Sequence, residues 1–553
     1  MSHLVRFAFY LGILATSAPA ADLLVPRITG PWTVIARSPD LGALGREKQE
    51  PVDFAVWQAA DGTWQLWSCI RNTAEPGRTR LLHRWESATL TAADWKPMGI
   101  AMQADPKLGE TAGGLQAPYV FREGETFRLF YGVWVRICSA TSADGKTFVR
   151  DANGHGQPAL FSEGPDDNAR DPFVIRIGSQ WHCYYTAHPK NKGAVYLRTS
   201  ADLKTWSASA VVAARGQAGD GPFSAECPHV VEAAPGQFYL FRTQRYGRDA
   251  VTRVYHSTDP QDFGKGEDHG DALHFITSLP VAAPEIVRHE GRWFIAALGA
   301  DLKSIQLAAL EWQPMNGARP STTARKPGAI RVALYDDSGS SGKGVPAIHQ
   351  QLGAVGGIEL KKLDAAGIRR GLHGFDAVIF TGGSGSRQAD SIGLLGREQV
   401  RRFIAQGGGY IGICAGAYLA CDGFQWGIKV LDAKTPSPKW MRGRADLQIE
   451  ATTAGRGVFG YPTGRFSVRY HNGPLLVPAG NAAIPDYEPL TLFRTEVAEN
   501  GSPPGIMINT PAMVCGQFGK GRVLVSSPHP EQTAGLESFA LKALRWVTAA
   551  RNE

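Results

Sequence analysis

One pattern recurs five times between Trp32 and Trp312, and it constrains the fold of this half more than any other feature. Each copy has a short apolar stretch, a turn that contains glycine, and a strand rich in aromatic residues, which together indicate a β-hairpin. The aligned positions are separated by 64, 54, 56 and 56 residues, and they are Asp53, Ala117, Asp171, Cys227 and Ala283. A period of this size is typical of a four-stranded blade. The repeat therefore predicts an all-β propeller of five blades over residues 22–314.

A second signature follows three of the hairpins at a similar distance. Its copies are TSADGKTF, TSADLKTW and STDPQDF, which begin at Thr141, Thr199 and Ser257. Turn-forming residues between short alternating strands indicate β-structure throughout this half. Because the second signature follows the hairpin at a similar distance each time, both signatures support one repeating unit.

The pattern changes after Trp312. Residues 315–328 are polar, contain proline and lack periodicity, which predicts a linker between two independently folding cores. Beyond it, helix-like segments such as residues 397–405 alternate with short apolar, β-branched runs, among them residues 330–335, 377–381 and 410–413. This alternation predicts a parallel, doubly wound α/β domain, flavodoxin-like, over residues 329–551.

Residues 1–20 have the layout of a secretory signal peptide. Arg6 precedes the apolar run from Phe7 to Ala15, and small residues ending at Ala20 offer a cleavage site. A membrane anchor is the alternative, but the run is well short of the roughly 20 residues that span a bilayer. The sequence therefore predicts an exported protein, periplasmic or extracellular, with no membrane span in the mature chain.

Charge and cysteine content narrow the range of partners. The formal net charge is +7 over 553 residues, without a run of five or six like charges, so a nucleic-acid partner is not indicated. The seven cysteines form no CxxC pair, so we expect no structural zinc, no other metal and no cofactor. Because seven is odd, at least one thiol has no partner within the chain, and pairing of Cys421 with Cys515 stays open.

Acidic residues stand at the start of the innermost strand in three of the five repeats: Asp53, Asp171 and Glu226. The start of each innermost strand faces the central funnel of a propeller, so carboxylates from different blades can meet there. Sugar hydrolysis needs two carboxyl groups, one as acid and the other as nucleophile or as base on a water. Ala117 and Ala283 occupy the second and fifth repeats, so the blade itself does not require an acid. We interpret the three carboxylates as candidate catalytic residues.

The sequences Arg170-Asp171-Pro172 and Glu226-Cys227-Pro228, with an acid in the first blade, carry a family resemblance. They resemble the five-bladed propeller glycoside hydrolases of the invertase/levanase and arabinanase/xylosidase kinds, over about residues 30–312. The resemblance implies a glycan or oligosaccharide substrate, with Asp53 as nucleophile or general base and Glu226 as general acid. It also implies that Asp171 orients the substrate and tunes the acid, and that Arg170 binds substrate.

The chain departs from that family pattern in two places. Phe54 follows Asp53 where the family has proline, and Glu226 stands one position earlier in its repeat than Asp171. Two alternatives therefore stay open. The propeller could bind glycans without cleaving them, and Asp171 with Arg170 could form a structural salt bridge.

A candidate nucleophile lies in the second half. An apolar strand runs into the small-residue turn from Gly412 to Gly416 and then into a helix, which is typical of a nucleophile elbow with Cys414 at its tip. The start of a helix favours a thiolate. Far downstream, after another apolar strand, His529 could act as the base and Glu531 could orient it.

The sequence GICAGAYLA followed by the His529-Pro530-Glu531 segment resembles the class I glutamine amidotransferase-like superfamily, and most of all the N-terminal domain of biotin-protein ligases. This resemblance covers about residues 329–550. It implies an oxyanion site formed by the backbone amides of Gly383 and Ala415. An amidase or acyl transferase acting on an exported substrate is one reading of this domain, and a catalytically silent binding module is the other.

Overall fold

The structure is a computed structural model that describes residues 23–265, 270–315 and 328–549. The signal peptide expected at residues 1–20 lies outside these residues, and so does most of the linker expected at residues 315–328. None of the helices in the described ranges is long and apolar enough to cross a membrane.

The first half is a ring of five antiparallel sheets, as the repeat predicts. Strand β1 (Leu24–Arg37) comes first and belongs to the fifth blade. Blade one contains β2 (Glu50–Gln58), β3 (Trp64–Arg71), β4 (Leu81–Ser87) and β5 (Lys96–Met102). Blade two contains β6 (Gln116–Glu123), β7 (Thr126–Gly132), β8 (Arg136–Ser142), β9 (Val149–Arg150) and β10 (Ala159–Ser162).

The remaining blades follow the same order, from the innermost strand outwards. Blade three contains β11 (Arg170–Ile177), β12 (Gln180–Ala187), β13 (Ala194–Ser200) and β14 (Ala210–Ala214). Blade four contains β15 (Glu226–Ala234), β16 (Gln237–Arg245), β17 (Val251–Ser257) and β18 (Phe275–Leu279), with helix α1 (Gly270–His274) before its last strand. Blade five contains β19 (Glu285–His289), β20 (Arg292–Leu298) and β21 (Ser304–Pro314).

The N-terminal strand closes the ring. β1 pairs antiparallel with β21, from Leu24 opposite Pro314 to Arg37 opposite Ser304, and thereby becomes the outermost strand of blade five. Backbone hydrogen bonds therefore join the two ends of the propeller half.

The five aligned positions of the repeat share one backbone conformation. Each has a positive φ angle: 26° at Asp53, 29° at Ala117, 54° at Asp171, and 48° at both Cys227 and Ala283. In the first four blades the strand pairing also shifts register at this point, which is the mark of a β-bulge. A bulge re-aims the side chains beside it, and bulges are common next to active sites. The aligned position of the repeat therefore marks a residue with a positive φ angle as well as the start of a strand.

The second half is built on one nine-stranded sheet. Its strands are β22 (Ile330–Tyr335), β23 (Ile358–Leu363), β24 (Ala377–Phe380), β25 (Gly409–Ile413), β27 (Arg444–Ala451), β28 (Arg465–His471), β30 (Glu488–Phe493), β31 (Pro511–Phe518) and β32 (Gly521–Ser526). The short strands β26 (Ala433–Lys434) and β29 (Val477–Pro478) pair separately. The helices are α2 (Gly344–Gly353), α3 (Ala365–Arg370), α4 (Gly385–Ala405), α5 (Ala415–Ala420), α6 (Thr453–Phe459) and α7 (Phe539–Thr548).

Five neighbouring strands, in the order β23-β22-β24-β25-β32, are parallel, which confirms the α/β prediction. Helices cover both faces of the sheet and bury one apolar cluster on each. Four antiparallel strands, in the order β31-β30-β27-β28, extend the sheet beyond β32. This extension was not predicted, because its strands do not alternate regularly with helices.

The two halves share a packed interface. Ala272 of α1 belongs to an apolar cluster of the α/β domain, and Leu395 of α4 belongs to a cluster of the propeller. The buried Arg397 donates a hydrogen bond of 2.7 Å to the carbonyl oxygen of Ala272. Gly393 interrupts α4 with a φ of 66°, and a Cβ added there would lie 2.7 Å from the carbonyl oxygen of Phe275. The linker pattern did not anticipate these contacts.

Candidate functional site

The propeller brings Asp53, Asp171 and Glu226 into one cluster from blades one, three and four. Cys227, at the bulge of blade four, connects Asp53 and Asp171. Its backbone N–H donates to Oδ2 of Asp171 at 3.0 Å, and its Sγ lies 3.1 Å from Oδ1 of Asp53. Arg170 donates to Oε1 of Glu226 at 2.9 Å and lies 3.8 Å from Oδ2 of Asp171. The candidate carboxylates therefore meet, while their catalytic roles stay predictions.

Two further residues belong to this cluster, Cys227 and Tyr246, and the sequence did not identify either as a candidate site residue. The hydroxyl of Tyr246 lies 3.2 Å from Sγ of Cys227 and donates to Oδ1 of Asp53 at 3.4 Å. Cys227 could have been found, because it occupies the repeat position that Asp53 and Asp171 occupy in their own blades. Tyr246 follows β16 in a loop and has no counterpart at the repeat spacing.

Burial shifts the protonation of these acids. It raises the pKa of Asp171 to about 7, with a further contribution from the negative charge of Asp53 and an opposing one from Arg170. Burial also raises the pKa of Glu226 above its ordinary value, although the positive charge of Arg170 opposes the rise. A carboxyl group with a raised pKa holds its proton closer to neutral pH, as a general acid requires.

The same cluster could offer ligands to a metal ion. One ligand atom each from Asp53, Asp171 and Cys227 lies within 4.8 Å of the others. However, burial raises the pKa of the Cys227 thiol well above its ordinary value, and metal binding requires the thiolate. A protonated thiol that donates to Asp53 fits the observed contacts.

Aromatic side chains lie close to these acids. Phe223 precedes Glu226 by three residues, is 60% exposed, and has the guanidinium of Arg170 6.0 Å from its ring centre. The half-buried Trp134 has the guanidinium of Arg80 5.1 Å from its ring centre, and the charge of Arg80 acts on the carboxyl of Glu226. An exposed aromatic ring such as that of Phe223, near paired carboxyl groups, is suited to stacking against a sugar.

The thiol site has the geometry of a nucleophile elbow. Cys414 lies between the end of β25 and the start of α5, with φ 53° and ψ −97°. The flanking glycines are needed for this turn: a Cβ on Gly416 would lie 2.2 Å from the carbonyl oxygen of Phe380, and one on Gly412 would lie 2.5 Å from that of Gly416. The small residues noticed in the sequence therefore hold Cys414 in a strained position, which is common at functional sites.

His529 and Glu531 lie beside Cys414. The ring Nδ1 of His529 lies 2.9 Å from Oε1 of the buried Glu531. Burial lowers the pKa of His529, but hydrogen bonds with the side chains of Cys414 and Glu531 outweigh it and raise the pKa to about 10. A protonated His529 at neutral pH stabilises a thiolate at Cys414. The three predicted residues thus form a Cys-His-Glu arrangement.

The residues expected to form the oxyanion site border the same space. Gly383 lines the cavity beside Cys414, and a Cβ on it would lie 2.0 Å from the carbonyl oxygen of Gly339. Ala415 is the first residue of α5, so its amide lies at the start of that helix. A Cβ on Gly382 would lie 2.9 Å from Cε1 of His529, so glycine there makes room for the base.

Cys414 is only 6% exposed, but it opens onto a cavity of about 680 Å³. His529 and Gln532 line the cavity on the side of the base, and the aromatic residues Tyr418, Phe424, Trp426 and Trp440 also line it. A cavity of this size accommodates a small organic substrate.

All seven cysteines are free, which answers the question about Cys421 and Cys515. Cys421 is part of the apolar cluster on one face of the nine-stranded sheet, and Cys515 is part of the cluster on the other face. The sheet separates the two sulfur atoms, so no disulfide joins them.

Comparisons with known families match each half separately. Residues 85–265 match the glycosyl hydrolases family 32 N-terminal domain, and residues 371–435 match the biotin-protein ligase N-terminal domain. Both matches confirm the resemblances noted in the sequence. Neither covers half of the chain. The comparison with curated proteins found no match.

Solved structures similar to this chain include a thermostable family-43 glycoside hydrolase, with 14% identity, 53% of this chain and 98% of that chain covered, and a TM-score of 0.36. An endo-arabinase from Bacteroides thetaiotaomicron has 12% identity, covers 48% of this chain and 94% of its own, and has a TM-score of 0.35. A GH32 beta-fructofuranosidase from Bombyx mori has 17% identity, covers 53% of this chain and 63% of its own, and has a TM-score of 0.35.

Proposed function

We propose that this chain is an exported glycoside hydrolase whose active site is the carboxylate cluster of the propeller. The observation that carries the proposal is the meeting of Asp53, Asp171 and Glu226 from three blades, with the pKa of Glu226 raised by burial. The family 32 match over residues 85–265 supports a carbohydrate-active protein.

In this proposal Glu226 donates its proton to the glycosidic oxygen as the bond from that oxygen to the anomeric carbon breaks. Asp53 acts on the opposite side of the sugar, either by attacking the anomeric carbon or by taking a proton from the water that attacks it. In the first route Glu226 then takes a proton from the water that releases the sugar, so both carboxyl groups end as they began. In the second route the proton ends on Asp53 and Glu226 ends ionised, and proton exchange with solvent restores both groups. Arg170 positions Glu226, and Asp171 binds the substrate beside it.

The experiment that tests this function is incubation of the protein with a panel of oligosaccharides, followed by mass spectrometry of the products. We expect shorter sugars. The masses of the two products of each cleavage should add up to the mass of the parent oligosaccharide plus one water. Glycan binding without any cleavage would favour a propeller that only binds glycans. The control is the Glu226→Gln variant tested on the same panel, because cleavage by a contaminating enzyme would persist in it.

A second function is favoured by a separate observation. The elbow at Cys414, the raised pKa of His529 and the contact between His529 and Glu531 together fit a thiol-dependent hydrolase or acyl transferase. We propose that Cys414 is its nucleophile, His529 the base and Glu531 the residue that orients the base. The amides of Gly383 and Ala415 would stabilise the oxyanion.

This second proposal predicts a reactive thiol. Iodoacetamide should alkylate Cys414 faster than any other cysteine, and His529→Ala should slow that reaction by about tenfold or more, because the imidazolium that stabilises the thiolate is lost. Peptide mapping over a series of times measures each rate. Cys421 and Cys515 are internal references, since burial raises the pKa of each thiol to about 12.

The control is His349→Ala, which removes an exposed histidine of the same domain and should leave the rate at Cys414 unchanged. A rate at Cys414 no faster than at Cys421, or unaffected by His529→Ala, would mean that the cysteine is a packing residue.

A further inference from the structure

The cavity beside Cys414 is lined by three cationic side chains, Lys343, Arg444 and Arg469. No aspartate or glutamate is among the residues that line it. Within the described part of the chain, none of the three cations forms an ion pair with a carboxylate, whereas the nearby Arg442 lies 3.4 Å from Glu496. The residues that line the cavity therefore carry an excess of positive charge.

Two of these cationic residues are connected by hydrogen bonds to the groups around the thiol. Arg444 Nε donates to Nε2 of His471 at 2.8 Å, and the carbonyl oxygen of His471 accepts a contact of 3.4 Å from Sγ of Cys414. The carbonyl oxygen of Arg469 accepts from the backbone N–H of His529 at 2.7 Å. Arg444 is thus connected to Cys414 through His471, and the backbone of Arg469 contacts His529 directly.

The pKa of His471 responds to the same positive charges. Burial lowers the pKa of this histidine first, and the positive charges of Arg444, His529 and Arg469 lower it further. Three positive groups from different segments therefore act on one point beside the thiol.

Four aromatic side chains also line the cavity. Phe424 and Trp426 stack with ring centres 4.6 Å apart, and Trp440 meets Tyr418 edge to face at 6.2 Å. Trp440 is 51% exposed although it is a large apolar side chain. An exposed aromatic wall is suited to the apolar part of a ligand.

We propose that the thiol site acts on acyl compounds that carry a negatively charged group, a carboxylate or a phosphate, close to the reacting carbonyl. Arg444 and Arg469 would bind the anion, and the aromatic wall would bind the remainder. A free amino acid such as glutamine fits poorly, because its ammonium group would meet cations and no carboxylate in this lining. The proposal rests on the thiol-dependent function proposed above for Cys414.

The reaction proceeds in two balanced steps. In the resting site His529 already holds the proton of Cys414, so the sulfur attacks the acyl carbon as a thiolate, and the bond from that carbon to its nitrogen or oxygen leaving group breaks as His529 protonates the leaving group. Water then attacks the thioester, gives one proton to His529 and its hydroxide to the acyl carbon, and the carbon–sulfur bond breaks. The site is then restored, with a thiolate at Cys414 beside protonated His529. Arg444 and Arg469 take no part in the bond changes.

The experiment compares two alkylating probes of nearly equal size, the anionic iodoacetate and the neutral iodoacetamide. The rate of each at Cys414 is measured by peptide mapping, and the ratio of the two rates is divided by the same ratio for N-acetylcysteine amide. We expect iodoacetate to be favoured by about tenfold in this corrected ratio, because two or three unpaired cations face the probe. Raising the salt concentration should reduce the preference, since exposed charges are screened.

Arg444→Gln combined with Arg469→Gln should bring the corrected ratio close to one. Arg465→Gln is the matched control: this exposed arginine lies on the same strand, β28, outside the cavity lining, and its loss should leave the ratio as in the parent. A corrected ratio near one in the parent, or one unchanged in the double variant, would overturn anion recognition. Failure of iodoacetamide itself to react with Cys414 would instead overturn the thiol-dependent function.

Discussion

Glu226→Gln is expected to slow hydrolysis of an unactivated oligosaccharide by about 10²- to 10⁴-fold, the usual contribution of a positioned general acid. The amide keeps the size of the side chain and can still contact Arg170, but it has no acidic proton to donate to the glycosidic oxygen. A glycoside with a dinitrophenyl leaving group needs little protonation, so its first bond cleavage should be slowed far less. Initial rates on both substrates measure the difference.

The control for this prediction is Glu232→Gln, which changes an exposed glutamate on the same strand, β15. It should hydrolyse both substrates at the parental rate. Equal losses on the activated and unactivated substrates in Glu226→Gln would point to substrate binding or folding rather than proton donation. Parental rates on both would remove Glu226 from the mechanism.

Gly393→Ala is expected to destabilise the whole chain by about 3 kcal/mol or more. A positive φ costs a residue with a Cβ roughly 1 to 2 kcal/mol, and overpacking in a tight interface costs roughly 1 to 3 kcal/mol more. The added Cβ would lie 2.7 Å from both Cδ1 and the carbonyl oxygen of Phe275, and the carbonyl is backbone that cannot rotate away. Against a total stability of about 5 to 15 kcal/mol, this is a large loss. Urea unfolding followed by tryptophan fluorescence measures it.

Gly457→Ala is the matched control in the same domain. Gly457 lies within helix α6, a Cβ there would have no heavy atom within 4 Å, and its φ is not positive. The change should stabilise the protein by about 0.5 to 1 kcal/mol, because glycine is unfavourable inside a helix. A free energy of unfolding unchanged by Gly393→Ala would contradict the packed interface between the two halves. It would favour the two independently folding cores that the linker pattern predicts.

The repeat spacing was sufficient to predict the five-bladed ring, because every blade uses the same hairpin and places its special backbone position at the same point. The alignment at Asp53, Ala117, Asp171, Cys227 and Ala283 coincides with the five positive φ angles. The meeting of Asp53 and Asp171 followed from the same alignment, since equivalent positions in a ring converge on its axis, and Glu226 stands next to the aligned Cys227. Tyr246 could not be predicted in this way, because a loop rather than the repeat brings its hydroxyl to Asp53.

In the α/β half as well, the sequence pattern predicted some site residues and not others. The strand before Cys414 and the distant His529 were predictable, because parallel strands β25 and β32 are neighbours and both end at the same edge of the sheet. The cations of the cavity were not, because Arg444 and Arg469 come from antiparallel strands that the alternation of strands and helices did not indicate. Gly393 resembled any glycine in a helical segment, and only its contact with Phe275 shows why it is there.

The closure of blade five by β1 has a consequence for the order of folding. Blades one to four are each built from strands that are consecutive in the chain, so each can pair as soon as it has been made. Blade five cannot be completed until β21 has been synthesised. Its strand β1 is the first of the described strands to be made, whereas the partner strand β21 ends at Pro314. Until then β1 has unpaired backbone groups along an edge, which can pair with another chain. Pairing over such a separation is also slow. Joining the two ends is therefore expected to be the last and most aggregation-prone step in forming the ring.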